Sequence, residues 1–435
     1  MNYDLAIIGA GWAGFNAAIR AKGLGLKVAL IEKDQLGGTC LNRGCIPTKA
    51  LIQSAKVYTL TKKSEIFGIK VTNPQIDFSK IQERKDKIIQ QLSHGLQFML
   101  RGIDLFKDEA KLLSPGELKV GSQTLKTKFI LIAVGSRPME LKGLVFDGKK
   151  IVSSDEILNL KEVPGSLLII GGGVIGCEFA NLFSSLGTQV LIAEKMPQLL
   201  PGQDQELAKK LENAFKKKGI KVSTNTDAQT LELRDFDLAL LCVGRTPDTK
   251  GLSLEKIGLN LEKEKIIVDE YLKTNIANIY AAGDCTGQIM LAHFASYQGR
   301  IAAENIASPN NPKKINTASV PSCIFSDPEL ASVGMDEEGA KNKGIDIKVN
   351  RFDFKGSGMA HILDEAEGFI KIVSDKKTEQ ILGASIIGPR ATELIGILTL
   401  AVSSRLKISQ IQDTIFAHPT LTESIAETLK EGYGV

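Results

Sequence analysis

The chain has 435 residues, of which 43% are hydrophobic and 24% charged, and its formal net charge is +4. This composition suits a folded protein of two to four domains. Acidic residues lie close to the basic ones along the whole chain, which argues against a nucleic-acid-binding protein.

The N-terminal segment YDLAIIGAG predicts a strand that begins almost at once. It lacks the basic-then-apolar order and the cleavage site of a signal peptide, so we expect no export. The apolar run from Ser166, SLLIIGGGVIG, is far shorter than the roughly 20 residues that a membrane helix needs. The sequence therefore predicts a cytoplasmic protein that does not enter a membrane.

Residues 3–33 follow the order strand, glycine turn, helix, strand. The turn holds Gly9, Gly11 and Gly14 at the spacing G-x-G-x-x-G, and Glu32 ends the second strand. Such glycines let the backbone approach a pyrophosphate at a helix N-terminus, and the acid accepts hydrogen bonds from a ribose. Because all of these parts occur in order, the segment predicts a dinucleotide site.

Cys40 and Cys45 form a close cysteine pair in the stretch GGTCLNRGCIPTKA. Six cysteines in the whole chain are too few for a structural disulfide framework, so the pair indicates a metal site or a redox site. A zinc site is hard to complete with four histidines and no second cysteine pair. We therefore expect a redox pair and no metal.

The strand, glycine turn, helix and strand return in residues 166–195. Here the glycines are Gly171, Gly173 and Gly176, and the terminal acid is Glu194. A carboxylate at this position would repel a 2′-phosphate, so the second dinucleotide site favours NAD over NADP.

Two later strands end in similar glycine turns, AVGSRP at 133–138 and CVGRTPDT at 242–249. A third strand delivers Asp284 in AAGDC, where capping of the following helix is the simplest role that the residues alone suggest. From about Val320 the pattern changes to short strands and helices, which predicts a separate α+β domain.

These motifs, together with AHPTLTES at 417–424, resemble the pyridine nucleotide-disulfide oxidoreductases along essentially the whole chain. Within that family the C-terminal motif is most similar to the lipoamide dehydrogenases. The resemblance implies an α/β fold with two Rossmann-like domains, for FAD and for NAD, and a C-terminal α+β dimerisation domain. The implied domains are FAD-binding at 1–147, NAD-binding at 148–268, a central segment at 269–318 and a dimer-interface domain at 319–435.

The resemblance also implies which residues contact the cofactors. They are Gly9, Gly11, Gly14, Glu32, Lys49, Ala110, Asp284, Ala292, Gly171, Gly173, Gly176, Glu178, Glu194, Gly244 and Arg245. In this interpretation Asp284 binds the ribityl chain of the flavin instead of capping a helix. Glu178 gates or contacts the nicotinamide, and the alternative for it is a solvated helix glutamate.

The implied reaction oxidises protein-bound dihydrolipoamide through a Cys40–Cys45 disulfide and FAD, and passes a hydride to NAD⁺. Cys45 is expected to be the thiolate next to the flavin, because a helix N-terminus stabilises a thiolate. Cys40 is expected to be the more exposed sulfur, which the substrate attacks.

His418 is the implied base, because the substrate must react as a thiolate, and Glu423 orients it. The family resemblance further implies a cis His418–Pro419 bond, although only about 5–6% of X-Pro bonds in folded proteins are cis. It also implies a homodimer in which each His418 serves the disulfide of the other chain.

The expected partner is a lipoyl-bearing acyltransferase of a 2-oxoacid dehydrogenase complex or the carrier protein of glycine cleavage. The alternatives are a related flavin disulfide reductase with another disulfide substrate and, from a different class, a flavoprotein without catalysis. The presence of Cys40, Cys45, His418 and Glu423 together argues against the last of these.

Three departures from the family pattern stand out. Phe416 occupies a position where the family often has histidine, and Asp248 one where it usually has asparagine. The segment between about 226 and 236 is too short for the family's antiparallel meander, so we expect a smaller NAD domain.

Overall fold

Apolar, β-branched runs of this sequence form buried strands, and the segments with helical spacing form helices. The computed structural model describes residues 2–430. The strands are β1 (Asn2–Ile8), β2 (Val28–Ile31), β3 (Asp104–Phe106), β4 (Ala110–Ser114), β5 (Glu117–Val120), β6 (Gln123–Ile132), β7 (Ser136–Pro138), β8 (Ile151–Val152), β9 (Ser166–Ile170), β10 (Gln189–Ala193), β11 (Lys221–Ser223), β12 (Leu238–Leu241), β13 (Arg245–Pro247), β14 (Leu261–Glu262), β15 (Lys265–Ile266), β16 (Ile279–Ala281), β17 (Ser322–Ile324), β18 (Glu329–Gly334), β19 (Ile347–Asp353), β20 (Phe369–Asp375) and β21 (Ile381–Gly388). The helices are α1 (Trp12–Gly23), α2 (Gly38–Arg43), α3 (Cys45–Lys62), α4 (Phe78–Met99), α5 (Val174–Ser185), α6 (Gln205–Lys217), α7 (Ala292–Ala307), α8 (Glu337–Asn342), α9 (Gly358–Ile362), α10 (Ala391–Ser403), α11 (Ile408–Gln412) and α12 (Glu423–Leu429).

The chain folds into two compact units. The first unit holds the chain up to Ser54, then Gln75–Glu162 and Cys242–Ile315. The second unit holds Ala55–Pro74, Val163–Leu241 and the chain from Asn316 onward.

The first unit is built on a seven-stranded sheet in the order β3-β2-β1-β6-β5-β4, and β16 also pairs with β6. β1 is parallel to β2 and to β6, so the glycine turn after β1 lies at the carboxyl edge of the sheet. Apolar side chains fill both faces of this sheet, and α1 packs against α7 on one of them. Ligands bind at such an edge in open α/β sheets, so the fold places a site after β1.

The second unit repeats the parallel arrangement, with β11, β10, β9 and β12 side by side in that order. After β11 the chain makes only two short 3₁₀ turns, Ala228–Thr230 and Leu233–Asp235, before it enters β12. No strand occurs between β11 and β12 in this fully described stretch.

The same unit contains an antiparallel sheet in the order β17-β18-β21-β20-β19. Helix α10 packs on it, and the apolar side chains between them form a core that also takes in Ile425 and Leu429 of α12. This is the C-terminal α+β arrangement that the sequence predicted. Among residues 2–430, no helix combines the length and the apolar character needed to cross a membrane.

Candidate active site

The first glycine turn connects β1 to α1 and has the geometry of a pyrophosphate cradle. Gly9 adopts φ +99°, and a Cβ on Gly14 would lie 1.9 Å from the carbonyl oxygen of Gly9, so neither position tolerates a side chain. A Cβ on Gly11 would find its nearest described neighbour, the Cα of Gly38, only at 3.9 Å. The turn is therefore closed toward the protein and open in front of the N-terminus of α1.

Glu32 is fixed beside this turn by two backbone groups. Its Oε2 accepts from the backbone N–H of Ala10 at 2.6 Å, and its Oε1 accepts from that of Asp34 at 2.8 Å. The carboxylate therefore stands at the place where a ribose hydroxyl would reach it.

The second glycine turn, between β9 and α5, repeats this geometry. Gly171 adopts φ +109°, and a Cβ on Gly176 would lie 2.0 Å from the carbonyl oxygen of Gly171. The Glu194 carboxylate accepts from the backbone N–H groups of Gly172 at 2.6 Å and Met196 at 2.7 Å. The chain thus carries two turns of the same design, one in each unit.

Cys40 lies in α2, and Cys45 is the first residue of α3. Both are thiols in this structure, and they hydrogen bond to each other. The hydrogen bond to Cys45 is the largest cause that raises the pKa of Cys40, followed by burial, and the attraction of Lys49 opposes both. Cys45 begins α3, and a helix N-terminus is a position that favours a thiolate.

In the chain by itself, Cys45 is an exposed residue and Cys40 is a half-buried one. Cys40 lies within α2 beside the indole of Trp12 and next to the buried Leu41, whereas Cys45 begins α3. That the substrate reaches Cys40 and the flavin lies next to Cys45 stays a prediction.

A chain of hydrogen bonds joins the three later motifs near the dithiol. Arg245 donates through Nε to Ser136 Oγ and through Nη2 to the Ser136 carbonyl, both at 2.8 Å. Ser136 Oγ in turn donates to Asp284 Oδ2 at 2.6 Å. Asp284 caps no helix, because the short 3₁₀ turn that it begins has Gly283 at its N-cap.

The positions of the other sequence-predicted cofactor residues follow from their elements. Lys49 lies one turn into α3, Ala110 begins β4 and Ala292 begins α7. Gly244 immediately precedes β13 and accepts from the backbone N–H of Met139 at 3.1 Å.

Glu178 lies in α5 behind the second glycine turn, and its side chain is buried, with 3% of the residue exposed. Its Oε1 accepts from the backbone N–H of Phe325 at 3.1 Å. The alternative of a solvated helix glutamate is therefore wrong. Contact with a nicotinamide remains a prediction.

His418 and Glu423 form a pair just before and at the start of α12. The Nδ1 of His418 lies 2.9 Å from Glu423 Oε2, and the backbone N–H of Thr420 donates to Oε1 of the same carboxylate at 3.1 Å. The hydrogen bond with His418 is the largest cause that lowers the pKa of Glu423. The His418–Pro419 bond is cis, as predicted, and the histidine side chain is 80% exposed.

Two residues that depart from the family pattern, Phe416 and Asp248, have simple structural roles. Phe416 packs against the apolar core of the antiparallel sheet. Asp248 lies 3.5 Å from the Lys33 ammonium and 3.7 Å from Arg137 Nε. Neither residue displaces a member of the His418–Glu423 pair.

Two family models together match almost the whole chain. The pyridine nucleotide-disulphide oxidoreductase model matches residues 3–299, and the dimerisation domain of the same family matches residues 320–429. The chain belongs to the pyridine nucleotide-disulphide oxidoreductase family.

Curated relatives of this oxidoreductase match it over nearly their full length. The dihydrolipoyl dehydrogenase of Chlamydia muridarum is 39% identical, with 98% of this chain and 96% of the relative covered. The enzyme of the same name from Geobacillus stearothermophilus is 40% identical, with coverages of 99% and 96%.

Two solved structures superpose on this oxidoreductase over nearly their full length. LpdA from Mycobacterium tuberculosis is 27% identical, with a TM-score of 0.91 over 98% of this chain and 99% of that one. The HOCl-induced flavoprotein disulfide reductase RclA of Escherichia coli, in its Cu(II) complex, is 28% identical, with a TM-score of 0.87 and 99% of both chains covered.

This oxidoreductase uses FAD and NAD, the cofactors of its family, and the two glycine turns fit them. Each turn offers an open helix N-terminus to a pyrophosphate and a fixed carboxylate to a ribose. Sequence reasoning missed Ser136, which lies in the motif AVGSRP. Its hydroxyl meets Arg245, which lies in the matching motif CVGRTPDT, so the pairing of the two motifs was the available signal.

Proposed function

We propose that this chain is a dihydrolipoyl dehydrogenase, which oxidises protein-bound dihydrolipoamide to lipoamide and reduces NAD⁺ to NADH. The observation that carries the proposal is the Cys40–Cys45 dithiol, whose sulfurs hydrogen bond to each other at the N-terminus of α3. Full-length similarity to enzymes that bear this name supports the choice of substrate.

The electron balance is that of a thiol–disulfide exchange followed by hydride transfer. The substrate dithiol loses two electrons and two protons and gains an S–S bond, while the Cys40–Cys45 disulfide takes up the two electrons. FAD held at the first glycine turn would supply the two-electron carrier between the dithiol and NAD⁺. One proton is released to the solvent for each NADH that forms.

The residues that hold the FAD follow from the first glycine turn. Gly9, Gly11 and Gly14 give its pyrophosphate access to the N-terminus of α1, and Glu32 accepts from its ribose. Four further residues contact the rest of the FAD in this proposal, namely Lys49, Ala110, Asp284 and Ala292.

The residues that hold the nicotinamide cofactor follow from the second turn. Gly171, Gly173 and Gly176 receive its pyrophosphate, and Glu194 accepts from the ribose and repels a 2′-phosphate. Glu178, Gly244 and Arg245 complete the proposed cofactor contacts.

Cys40 is the sulfur that a substrate thiolate attacks, because the leaving sulfur, Cys45, lies at the N-terminus of α3, which favours a thiolate. His418 takes the proton of the substrate thiol. Since Nδ1 is held by Glu423, Nε2 is the nitrogen that exchanges this proton.

We further propose that each active site combines the Cys40–Cys45 dithiol of one chain with His418 of the partner subunit. The match to the family's dimerisation domain and the 80% exposure of the His418 side chain support this arrangement. A two-fold dimer then carries two such sites.

The four-domain division at 1–147, 148–268, 269–318 and 319–435 belongs to the same proposal. So do a cytoplasmic location and a lipoyl-bearing partner, either the acyltransferase of a 2-oxoacid dehydrogenase complex or the glycine-cleavage carrier protein. Paired reactive thiols suit a reducing compartment.

The second candidate is a flavin disulfide reductase with another disulfide substrate, which the structural similarity to RclA favours. Steady-state assays separate the two. Turnover of dihydrolipoamide with NAD⁺ that greatly exceeds turnover of glutathione disulfide with NADPH supports the proposal. The reverse order contradicts it.

A further inference from the structure

One carbonyl of the second glycine turn is held by a later segment of the chain. The Gly172 carbonyl accepts from the backbone N–H of Leu200 at 2.8 Å. Leu199 packs so closely on the turn that a Cβ on Gly172 would lie 2.6 Å from Leu199 Cδ2, and both leucines are buried. The trans peptide between Gly172 and Gly173 is planar, so its N–H points opposite to its carbonyl. Leu200 therefore sets the direction in which the Gly173 N–H is offered at the N-terminus of α5.

The segment that contains both leucines, residues 198–204, has a backbone that its neighbours must hold. Leu200 adopts φ +51°, in the left-handed region that residues with a side chain rarely enter. A β-turn follows, in which the backbone N–H of Gln203 donates to the Leu200 carbonyl at 3.0 Å and Gly202 adopts φ +86°. A residue keeps such a sparsely populated conformation only when the surrounding structure fixes it.

Two side chains of the antiparallel sheet hold the end of this segment. Ser332 of β18 donates through Oγ to Gln203 Oε1 at 3.0 Å. Lys371 of β20 places its ammonium 2.6 Å from Asp204 Oδ2, and both of these side chains are only 7% exposed. The antiparallel sheet is thus connected to the second glycine turn through residues 200–204.

Asp204 makes two separate sets of contacts at this connection. Its Oδ1 accepts from the backbone N–H groups of Glu206 at 2.9 Å and Leu207 at 3.4 Å, and so caps the N-terminus of α6. Its Oδ2 is the oxygen that contacts Lys371. The same ammonium also lies 3.1 Å from Glu337 Oε1 of α8. The contact between Lys371 and Asp204 can therefore be broken without removing the helix cap.

We propose that Lys371 is a positioning residue for the nicotinamide nucleotide. Through Asp204, Lys371 fixes the end of segment 198–204. The segment in turn holds the carbonyl of Gly172, so that the Gly173 N–H stays turned toward the pyrophosphate of a bound nucleotide. The inference rests on the proposed function, in which the second glycine turn receives the pyrophosphate of NAD. A residue of the dimerisation domain thereby acts on the nucleotide site of its own chain.

The test is the binding of ADP-ribose to the holoenzyme, measured by titration calorimetry. ADP-ribose carries the pyrophosphate and both riboses of NAD but cannot accept a hydride. Asp204→Asn keeps an oxygen to cap α6 and turns an amide NH₂ toward the Lys371 ammonium, which breaks the contact. If the correctly oriented turn is then populated to about a tenth, the dissociation constant should rise about tenfold. Lys371→Met should raise it by a similar factor.

Steady-state kinetics distinguish positioning from a general loss of structure. In Asp204→Asn the KM for NAD⁺ should rise by the same factor while kcat changes by less than about twofold, which is the pattern of lost ground-state binding. Reduction by dihydrolipoamide should still produce the long-wavelength charge-transfer absorbance of a Cys45 thiolate beside oxidised flavin, because the dithiol lies in the first unit. A lower kcat per bound flavin with an unchanged KM for NAD⁺ would overturn the proposal.

Glu337→Gln is the matched control. It removes a carboxylate from the same Lys371 ammonium, but Glu337 belongs to α8 and not to segment 198–204. The dissociation constant for ADP-ribose should stay at the wild-type value. A rise equal to that in Asp204→Asn would overturn the assignment to the contact between Lys371 and Asp204.

Ser332→Ala tests the second attachment of the segment. It removes only the hydrogen bond to Gln203, so it should weaken ADP-ribose binding less than Asp204→Asn does. If neither buried variant, Asp204→Asn or Lys371→Met, retains FAD, Ser332→Ala decides alone, by a raised or an unchanged dissociation constant.

The outcomes separate this inference from the proposed function. A wild-type holoenzyme that does not bind ADP-ribose would contradict the proposed function, in which the second glycine turn is a nucleotide site. Wild-type binding that is unchanged in Asp204→Asn would overturn only the role of Lys371.

Discussion

The Cys40–Cys45 dithiol and the His418–Glu423 pair carry the two halves of the proposed reaction, and the protein surrounds them differently. The dithiol lies among charged groups of its own unit, including Lys49 and Arg245. The histidine is 80% exposed, and its hydrogen-bonding partner is Glu423. The charged groups around the dithiol therefore come from its own chain, whereas in the proposed dimer the histidine meets the dithiol of the partner subunit.

The largest expected effect comes from the cysteines, because the dithiol cannot act with one sulfur. Cys45→Ser should abolish dihydrolipoamide turnover and the long-wavelength absorbance. Cys40→Ser should also abolish turnover but should show the absorbance without added reductant, since Cys45 then has no disulfide partner. Absorbance spectra and steady-state assays check both.

Cys323→Ser is the control for this pair. Cys323 is half-buried in β17, outside the dithiol loop, and its Sγ lies 3.9 Å from the carbonyl oxygen of Thr392. Its activity should be unchanged. The opposite pattern of absorbance in the two active-site variants would reverse the roles of Cys40 and Cys45.

The next effect concerns the histidine, which acts through general base catalysis. His418→Ala should lower kcat by about 10²–10⁴-fold. Mixing inactive Cys45→Ser with inactive His418→Ala chains under conditions of subunit exchange should restore about a quarter of the wild-type activity, since half of the dimers are mixed and each has one intact site.

His361→Ala provides the matched control, because His361 is an exposed histidine of α9. Its Nε2 lies 2.8 Å from the carbonyl oxygen of Lys355. It should keep full activity. Recovery of no activity on mixing the two inactive chains would mean that His418 serves its own chain.

A smaller effect is expected from the carboxylate that orients the base. Glu423→Gln should lower kcat by about tenfold, because the Nδ1 of His418 then loses its carboxylate partner. The lowered pKa of Glu423 keeps the wild-type carboxylate charged above its ordinary titration range, so the effect should be present at neutral pH. Glu427→Gln, one turn along α12, is the control and should keep the wild-type kcat. An equal fall of kcat in both variants would argue against an orienting role for Glu423.

The lowered pKa of Glu423 also makes the free energy of unfolding depend on pH. A folded-state pKa below the unfolded value stabilises the fold above the unfolded pKa, and this contribution is lost as the pH falls through the folded value.

The smallest expected effects come from the acids beside the two glycine turns, because each turn is proposed to bind a different cofactor. Glu194→Ala should narrow the preference for NADH over NADPH several-fold, because it removes the repulsion of a 2′-phosphate. Glu32→Ala should lower the FAD content of the purified protein without changing that preference. Initial rates with both nucleotides and the flavin-to-protein absorbance ratio measure the two effects, and a wild-type enzyme that prefers NADPH would contradict the role of Glu194.

The sequence determined the features in which neighbouring residues decide the geometry. The spacing of Gly9, Gly11 and Gly14 predicted a turn in which the Cβ of any other residue would collide with the backbone. The segment after β11 is short and forms only two 3₁₀ turns before β12. The His418–Pro419 bond of the C-terminal motif is cis, as predicted.

Only the tertiary structure decided which distant residues meet. Arg245 reaches Ser136 and Ser136 reaches Asp284, and the buried Glu178 accepts from the backbone N–H of Phe325. The half-buried position of Cys40 likewise depends on how α2 packs beside Trp12. Local patterns fix backbone conformation through sterics within a few residues, whereas burial and the partners of charged groups depend on strands and helices brought together from far along the chain.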